Sequence, residues 1–490
     1  DVRHMHLGRL LSMPKLGYVT ATASLDATTS EKTGIYGRVR GDVAQIDIAE
    51  CEYEDIDIAG TLLNKSFTGE VKSKSAPIDF SLKGSADMNH ERPILDLELR
   101  VKDADLHAMN INRRDSLSRV GFVASLYSVG RSIEDVNGSL SIEQGRYMYH
   151  ADTLTSGPIK LTARNVDHSR TMELTSDFAD ATFTGPTSYA EIISYLKAAM
   201  SKYLPRLNEG PDFESVEQTG YSALSAKVKN IDPLLNAISE GLQLAPGSTL
   251  NFMINPAANH LTLRAESDYI ERDKLLATKL NVNVTNQGDS LAMYLTAEDF
   301  YSGMLHFPLL SVMGGAKNNR IMLSTGFDDK RDSLSGVVNL MAQLRRVEPD
   351  NRPRLDVTLL PATIKLARRQ WHITSDMISL DTARVEVNNL LIRSGRQQLH
   401  LQGVASRSRE DSITVNMRSF ELEPLMGFPR RLGYNIKAQS NGVASLKAAF
   451  GDGEITADVR VDSMTVNDYP VAPLHIDSRW DFQRKRVSVY

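Results

Sequence analysis

LTSDFADATFTG, residues 174–185, is the stretch on which the reading of this chain turns. Met172, Leu174 and Phe178 fall on one face of an extended strand; after Asp180 the phase slips, and Ala181 and Phe183 take over. The face stays apolar across the slip, and no side chain suited to acid, base or nucleophilic work stands in it. Period-two alternation of this kind predicts sheet with one apolar and one solvated side.

The same pattern fills most of the 490 residues. In residues 35–60, IYGRVRGDVAQIDIAECEYEDIDIAG, Ile46 and Ile48 face one way. Cys51 and Tyr53 follow after a slip of one residue, and Ile56 and Ile58 after another. A bulge or a bend makes each slip without turning the apolar side outward. Ile78, Phe80 and Leu82 alternate with polar neighbours, and the cadence continues through 95–106 and 138–167. Strands resume from Ser248, with NPAANHL as a turn between 252–254 and 261–263. Another unit starts near Arg354, and a related cadence runs from Gly442 to Trp480 as a degenerate repeat.

Two segments change period. Residues 186–207 place Tyr189, Ile192, Ile193, Leu196, Met200, Tyr203 and Leu204 on a helical stripe. Ser188 and Glu191 form a capping box there, and Pro205 supplies the stop. A second helix is expected over 232–242, with Asp232 as N-cap, Pro233 at its first position and Gly241 near its end. Leu234, Leu235 and Ile238 make its apolar side, and 208–222 reads as an acidic loop between the two. Each stripe admits packing on a sheet or lying on a membrane surface, and the scarcity of basic residues on the polar side favours packing. The organisation expected is a first β-groove segment at 1–185, a helical insertion with its acidic loop at 186–247, a second groove segment at 248–353 and a third, incomplete one at 354–490.

The chain carries 61 acidic and 56 basic residues, a net charge of -5, and no basic stripe, which argues against a nucleic-acid partner. The basic runs at 345–348 and 484–486 read as solvated faces. Cys51 is the single cysteine, so no internal disulfide exists, and the phase of its segment puts it at an apolar sheet position. No apolar run approaches the roughly 20 residues of a spanning helix. His4 and His6 share a strand face and read as a surface pair rather than a metal site. GGAKNNR, 314–320, lacks the spacing of a phosphate loop and reads as a turn. Asp55 and Asp57 are out of phase with the isoleucines and belong to the solvated side. Trp371 and Trp480 read as sheet core. These features lead to an expectation of no catalytic residue, no cofactor and no metal.

Roughly 30 to 40 short strands with little helix can be arranged in two ways. Strands about 4.8 Å apart, joined continuously, make a sheet more than roughly 100 Å long. Such a sheet must curl as twist accumulates, and an apolar face curled inward becomes a groove. Several separate sandwiches are the other arrangement. The fold class expected is mainly β, an elongated curled sheet (a β-taco or groove) with an apolar interior and two short covering helices.

LTSDFADATFTGPTSYAEIISYLKAAMSKYLPRL resembles a segment of the TamB family of Bacteroidetes, where a strand ending in a serine-aspartate-aromatic phrase leads into a sheet-covering helix and a YLP-like stop. IDPLLNAISEGLQLAPGSTLNFMINPAANHLTLRAES is similar to the next part of those proteins. TIKLARRQWHITSDMISLDTARVEVNNLLIRSGRQQLHLQGVAS resembles a later unit, with its tryptophan, its glutamine near 398 and its glycine at 403. The resemblance extends over nearly the whole chain and rests on the order of loose motifs. It implies AsmA-like, bridge-like lipid transfer proteins: periplasmic β-taco grooves offering phospholipid tails an apolar path between inner and outer membrane. It also implies an inner-membrane anchor in a Gram-negative bacterium and an outer-membrane partner of the Omp85 class, engaged through regions not recognisable here. Alternation at both ends leads to the expectation of an internal piece of a longer protein.

The function expected is a non-enzymatic conduit for phospholipid acyl chains. Groove lining is assigned to Leu174, Phe178, Phe183, Leu261, Leu263, Val385, Val387, Leu399 and Leu401. Ile192, Leu196, Met200, Leu234, Leu235 and Ile238 are expected to cover the groove. The alternative is a chaperone-like scaffold that assists outer-membrane protein assembly by offering strand edges to unfolded barrel segments.

Overall fold

Segments of alternating polar and apolar residues, broken by Asn, Asp and Gly, form antiparallel β-structure almost throughout this chain. The computed structural model describes residues 1–6, 8, 15–30, 34–49, 51–113, 115–149, 152–167, 169–206, 219–232, 234–235, 241–287, 290–303, 305–330, 334–348, 351–421, 436–481 and 486–489. Among these it contains 34 strands. The mainly β expectation is met. The chain divides into two compact units: Asp1–Tyr189 with Thr219–Asn255 and Ile270–Asp273, and Ala190–Gln218 with Pro256–Tyr269 and Lys274–Tyr490.

In the first unit, strand-to-strand register aligns the apolar positions into rows. One row passes through Val39, Gly60, Gly69, Gly84, Leu97, Leu126, Leu140, Leu161, Leu174, Ala181, Ala226 and Leu250, each paired with the next. The positions one residue away, on the opposite face, run Arg38, Thr61, Thr68, Ser85, Asp96, Tyr127, Ser139, Thr162, Glu173, Thr182, Ser225 and Asn251. Side chains alternate across a strand, so this register makes one face apolar and the other polar over all twelve strands.

The second unit repeats the arrangement. Leu291, Ala316, Ile321, Ala342, Val357, Ile378, Val387, Gly403, Ile413, Leu446, Ile455, Trp480 and Val487 are successive cross-strand partners.

Phase slips inside strands have a backbone cause. His4, Asp55, Gln144, Lys279, Leu309, Asn389 and Ser419 have positive φ within strands. After Asp55 the inward phase passes from Tyr53 to Ile56, and after Asn389 from Val387 to Leu390. After Ser419 it passes from Met417 to the buried Phe420. A non-glycine residue in this region costs about 1–2 kcal/mol. The cost is offset because the remainder of the strand keeps its apolar side on the apolar face.

Other slips are not bulges. The one between Ile48 and Cys51 is a hairpin turn, since these two residues pair with each other across it. The opening stretch is also a hairpin, not one strand. Ser169–Thr175 pairs antiparallel with Ala179–Gly185, placing Leu174 opposite Ala181 and Met172 opposite Phe183. Alternation resumes on the same face after a bulge and after a tight turn, so sequence phase alone cannot separate the two. GGAKNNR is divided similarly: Gly314, Gly315, Ala316 and Lys317 are in strand, and the turn is Asn318–Asn319, both at positive φ, as a type I′ hairpin loop requires.

Gly60, Gly69 and Gly84 lie side by side in the first apolar row. A Cβ on Gly69 would stand 2.3 Å from the Ala59 carbonyl oxygen, and one on Gly84 2.0 Å from that of Asp96. Three adjacent strands therefore approach more closely on this side than a side chain would permit.

One α-helix lies among the described residues, α1, Tyr189–Tyr203. Its buried side is Tyr195, Ala198, Ala199 and Tyr203, while Ile193 and Met200 are exposed and Ile192, Leu196 and Leu204 are half-buried. The helix is thus rotated from the expected stripe, because small alanines permit close approach and the tyrosines bring the larger apolar area. Its end is fastened within the second unit: Asn319 N–H donates to Tyr203 O at 3.0 Å, and Arg346 Nε donates to Arg206 O at 2.8 Å.

The second helix is corrected in part. Leu242–Leu244 is a strand paired with 270–272, and Asp232 Oδ1 accepts the Leu244 N–H at 3.0 Å. Leu234 and Leu235 N–H groups both donate to Ile231 O, a single helical turn. Residues 236–240, including Ile238, lie outside the described residues, as do 207–218 of the expected acidic loop.

Candidate functional site

The candidate site is the apolar face that each unit carries. Eight of the nine expected lining residues fall on strands. Leu174 and Phe183 stand in adjacent rows of the first unit, Phe183 between Met172 and Leu224. Leu261 and Leu263 occupy alternate positions of the strand His260–Arg272, the first buried and the second half-buried. Val387 is buried, and beyond the Asn389 bulge the same face continues through Leu390 and Ile392, which pair with Leu401 and Leu399. Val385 pairs with Leu380 and Ala405. These two valines and two leucines are therefore one continuous surface.

Phe178 is the exception. It lies in the connection between Thr175 and Ala179, where the Ser176 hydroxyl accepts the N–H groups of Phe178 and Ala179 and donates to Ala179 O. Lys229 Nζ clamps this turn, donating to Ser176 O at 2.9 Å and to Asp180 Oδ1 at 2.6 Å. The hydrogen bond from Lys229 is the main reason that the Asp180 carboxyl is held below the usual carboxylate range. Ser and Asp ahead of an aromatic were the turn signal in SDF.

Cys51 is buried, with its thiol 3.3 Å from Ala108 O. Burial, followed by the neighbouring Cys51, pushes the Tyr53 phenol up to about 12. Among the described residues no cluster of three His, Cys, Asp or Glu could hold a metal. His4 stacks on Tyr18 at 4.1 Å and His6 meets the same ring edge-on at 4.8 Å. Asp55 and Asp57 are exposed, on the polar face. Trp371 is buried 6.0 Å from Phe420, whereas Trp480, in the outermost part of its row, is 45% exposed. Trp480 is therefore not core.

Sequence reasoning missed most of the rows. Leu97, Leu126, Leu140 and Leu161 carry the alternation signal but need register to be placed beside Leu174. Gly60, Gly69 and Gly84 carry no hydropathy signal at all. No helix among the described residues is long and apolar enough to cross a membrane. Comparison with family models, curated proteins and solved structures returns no match.

Proposed function

We propose that this chain is a non-enzymatic carrier of phospholipid acyl chains, which lie along its apolar sheet faces while headgroups stay toward water. The observation that supports this reading is the continuous row of apolar cross-strand partners, twelve strands in the first unit and thirteen in the second, with a mostly polar row opposite it in the first. The rows are also incompletely covered. The chain exposes 29848 Å². Two compact globules of half its mass would together expose roughly 22,000 Å².

Acyl chains suit such a surface because they ask for no hydrogen bonds, and each CH₂ removed from water gains about 0.8 kcal/mol. A row of near-equivalent Leu, Ile, Val and Ala positions lets a chain move along the face without leaving it. On this reading the protein works in the periplasm as a TamB-like, AsmA-like conduit, and α1 shields part of the apolar face.

Lipid extraction and mass spectrometry after gentle purification tests the proposal. Phospholipid retained in near-stoichiometric amount is the expected result. A lipid-free protein that fails to take up labelled phospholipid, yet binds unfolded barrel strands, would replace carriage with the scaffold role.

A further inference from the structure

The two-sided rule of the sheet fails across four adjacent strands of the second unit. Across the strands Ser290–Ser302, Leu305–Lys317, Arg320–Asp328 and Leu334–Val347, the face opposite the apolar row carries Ala292, Gly315, Met322 and Met341 as successive partners. Tyr294 and Met313 form the next line on that face. Met313, Met322 and Met341 are 56%, 62% and 46% exposed. At the corresponding positions of the first unit this face is polar apart from Tyr127.

The same place holds a groove of about 940 Å³, lined on this face by Ala292, Gly315, Met322, Met341, Thr358 and Met377. Lys317, Arg320 and Arg345 stand at the end where the strands turn. Arg345 is engaged by Asp356, 3.0 Å away, which also holds Arg354 at 2.9 Å and accepts the Ser379 hydroxyl. Lys317 and Arg320 face no carboxylate among the described residues. The local charge is positive, and the carboxylate nearest to it already serves two arginines.

The backbone of the floor restricts what can bind. The strands through Gly315, Met322 and Met341 are paired on both sides, so no peptide strand can add there. A ligand that needs no hydrogen bonds along its length but has an anion at one end matches both features. Methionine side chains adapt to an irregular apolar chain, and Lys and Arg provide charge-assisted hydrogen bonds to the anion.

We propose that this groove binds a single-chain amphiphile with an anionic head, its tail against Met322 and Met341 and its head at Lys317 and Arg320. The side chains assigned to tail and head lie on the face opposite the proposed acyl-chain row, while Leu291, Ala316, Ile321 and Ala342 of that row also line the groove.

Hydrogen peroxide footprinting with oleate, below its aggregation concentration, tests the assignment. Saturating oleate is expected to slow oxidation of Met322 and Met341 by about tenfold, as occupancy above nine-tenths requires. Met313, exposed but outside the groove, should oxidise at an unchanged rate. Lys317→Glu combined with Arg320→Glu changes two exposed side chains and should weaken oleate binding about tenfold or more, while oleyl alcohol should not distinguish the variant from the parent. Equal protection of all three methionines would mean surface adsorption and would overturn the proposal. So would no protection of Met322 and Met341, or unchanged oleate affinity in the double variant.

Discussion

At the scale of the residue, neighbours in sequence belong to different environments. Leu174 touches the row through Leu161 and Ala181, whereas Thr175 is exposed between Lys160 and Asp180. Leu174→Asp puts an unpaired carboxylate into the apolar row and should cost about 1–3 kcal/mol of stability. If the row carries acyl chains, it should also abolish retention of labelled phospholipid in molecules that remain folded by circular dichroism. Thr175→Glu, one residue away, should change stability by no more than about 0.5 kcal/mol and leave retention intact. Equal loss in both variants would remove the row from the path. Tyr53 gives a pH test. Its folded-state value, about 12, lies above the ordinary 10.0. The folded state therefore holds the phenolic proton more tightly. Its contribution to stability is full below pH 10 and falls as pH rises through 12. Denaturation midpoints between these pH values should decline less steeply in Tyr53→Phe than in the parent.

At the scale of the element, the positive-φ residues decide which way the rest of a strand faces. Asn389 has φ 52 at the point where Val387 hands over to Leu390. Asn389→Val forces a β-branched residue into that conformation and should destabilise by about 1–3 kcal/mol. Asn389→Gly removes the constraint and should remain near the parent, so the pair separates backbone strain from loss of the side chain. Urea midpoints measure both. Gly84 makes a harsher demand, with φ at 144 and the Asp96 carbonyl where a Cβ would be. Gly84→Ala should lower stability more than either Asn389 variant, because the obstacle is backbone and cannot rotate away. Met200 and Ile193 show the limit of a stripe read from sequence. Helical periodicity identified α1, but the packing partner selected the alanine and tyrosine side.

At the scale of the molecule, the exposed area is the main departure from an ordinary globular chain. An open apolar face in the native state should bind an environment-sensitive dye such as anilinonaphthalene sulfonate without denaturant. Phospholipid presented in detergent-free nanodiscs should displace that dye if acyl chains occupy the same rows. A native protein that leaves the dye dark would mean that the rows are already covered, and the carrier proposal would lose its support.

Much of this was legible in the sequence because it is local. Alternation at period two named the strands, and the phase of Asp55 and Asp57 put them on the solvated side. The helical spacing after Pro186 separated α1 from the sheet, and Cys51 was placed in an apolar position. Eight of the nine expected lining residues proved to lie on strands, and Phe178 was misplaced because a hairpin and a bulge restore the same phase. What needed the tertiary structure was register. Whether Leu161 stands beside Leu140 or beside Ser139 depends on hydrogen bonds between segments that the chain brings together only on folding, and a slip of one residue would reverse every side chain. Register likewise set Gly60, Gly69 and Gly84 side by side, exposed the methionines of the opposite face, and chose the buried side of α1. Sequence alone determined that the sheet would be two-sided; cross-strand pairing decided which residues share each side.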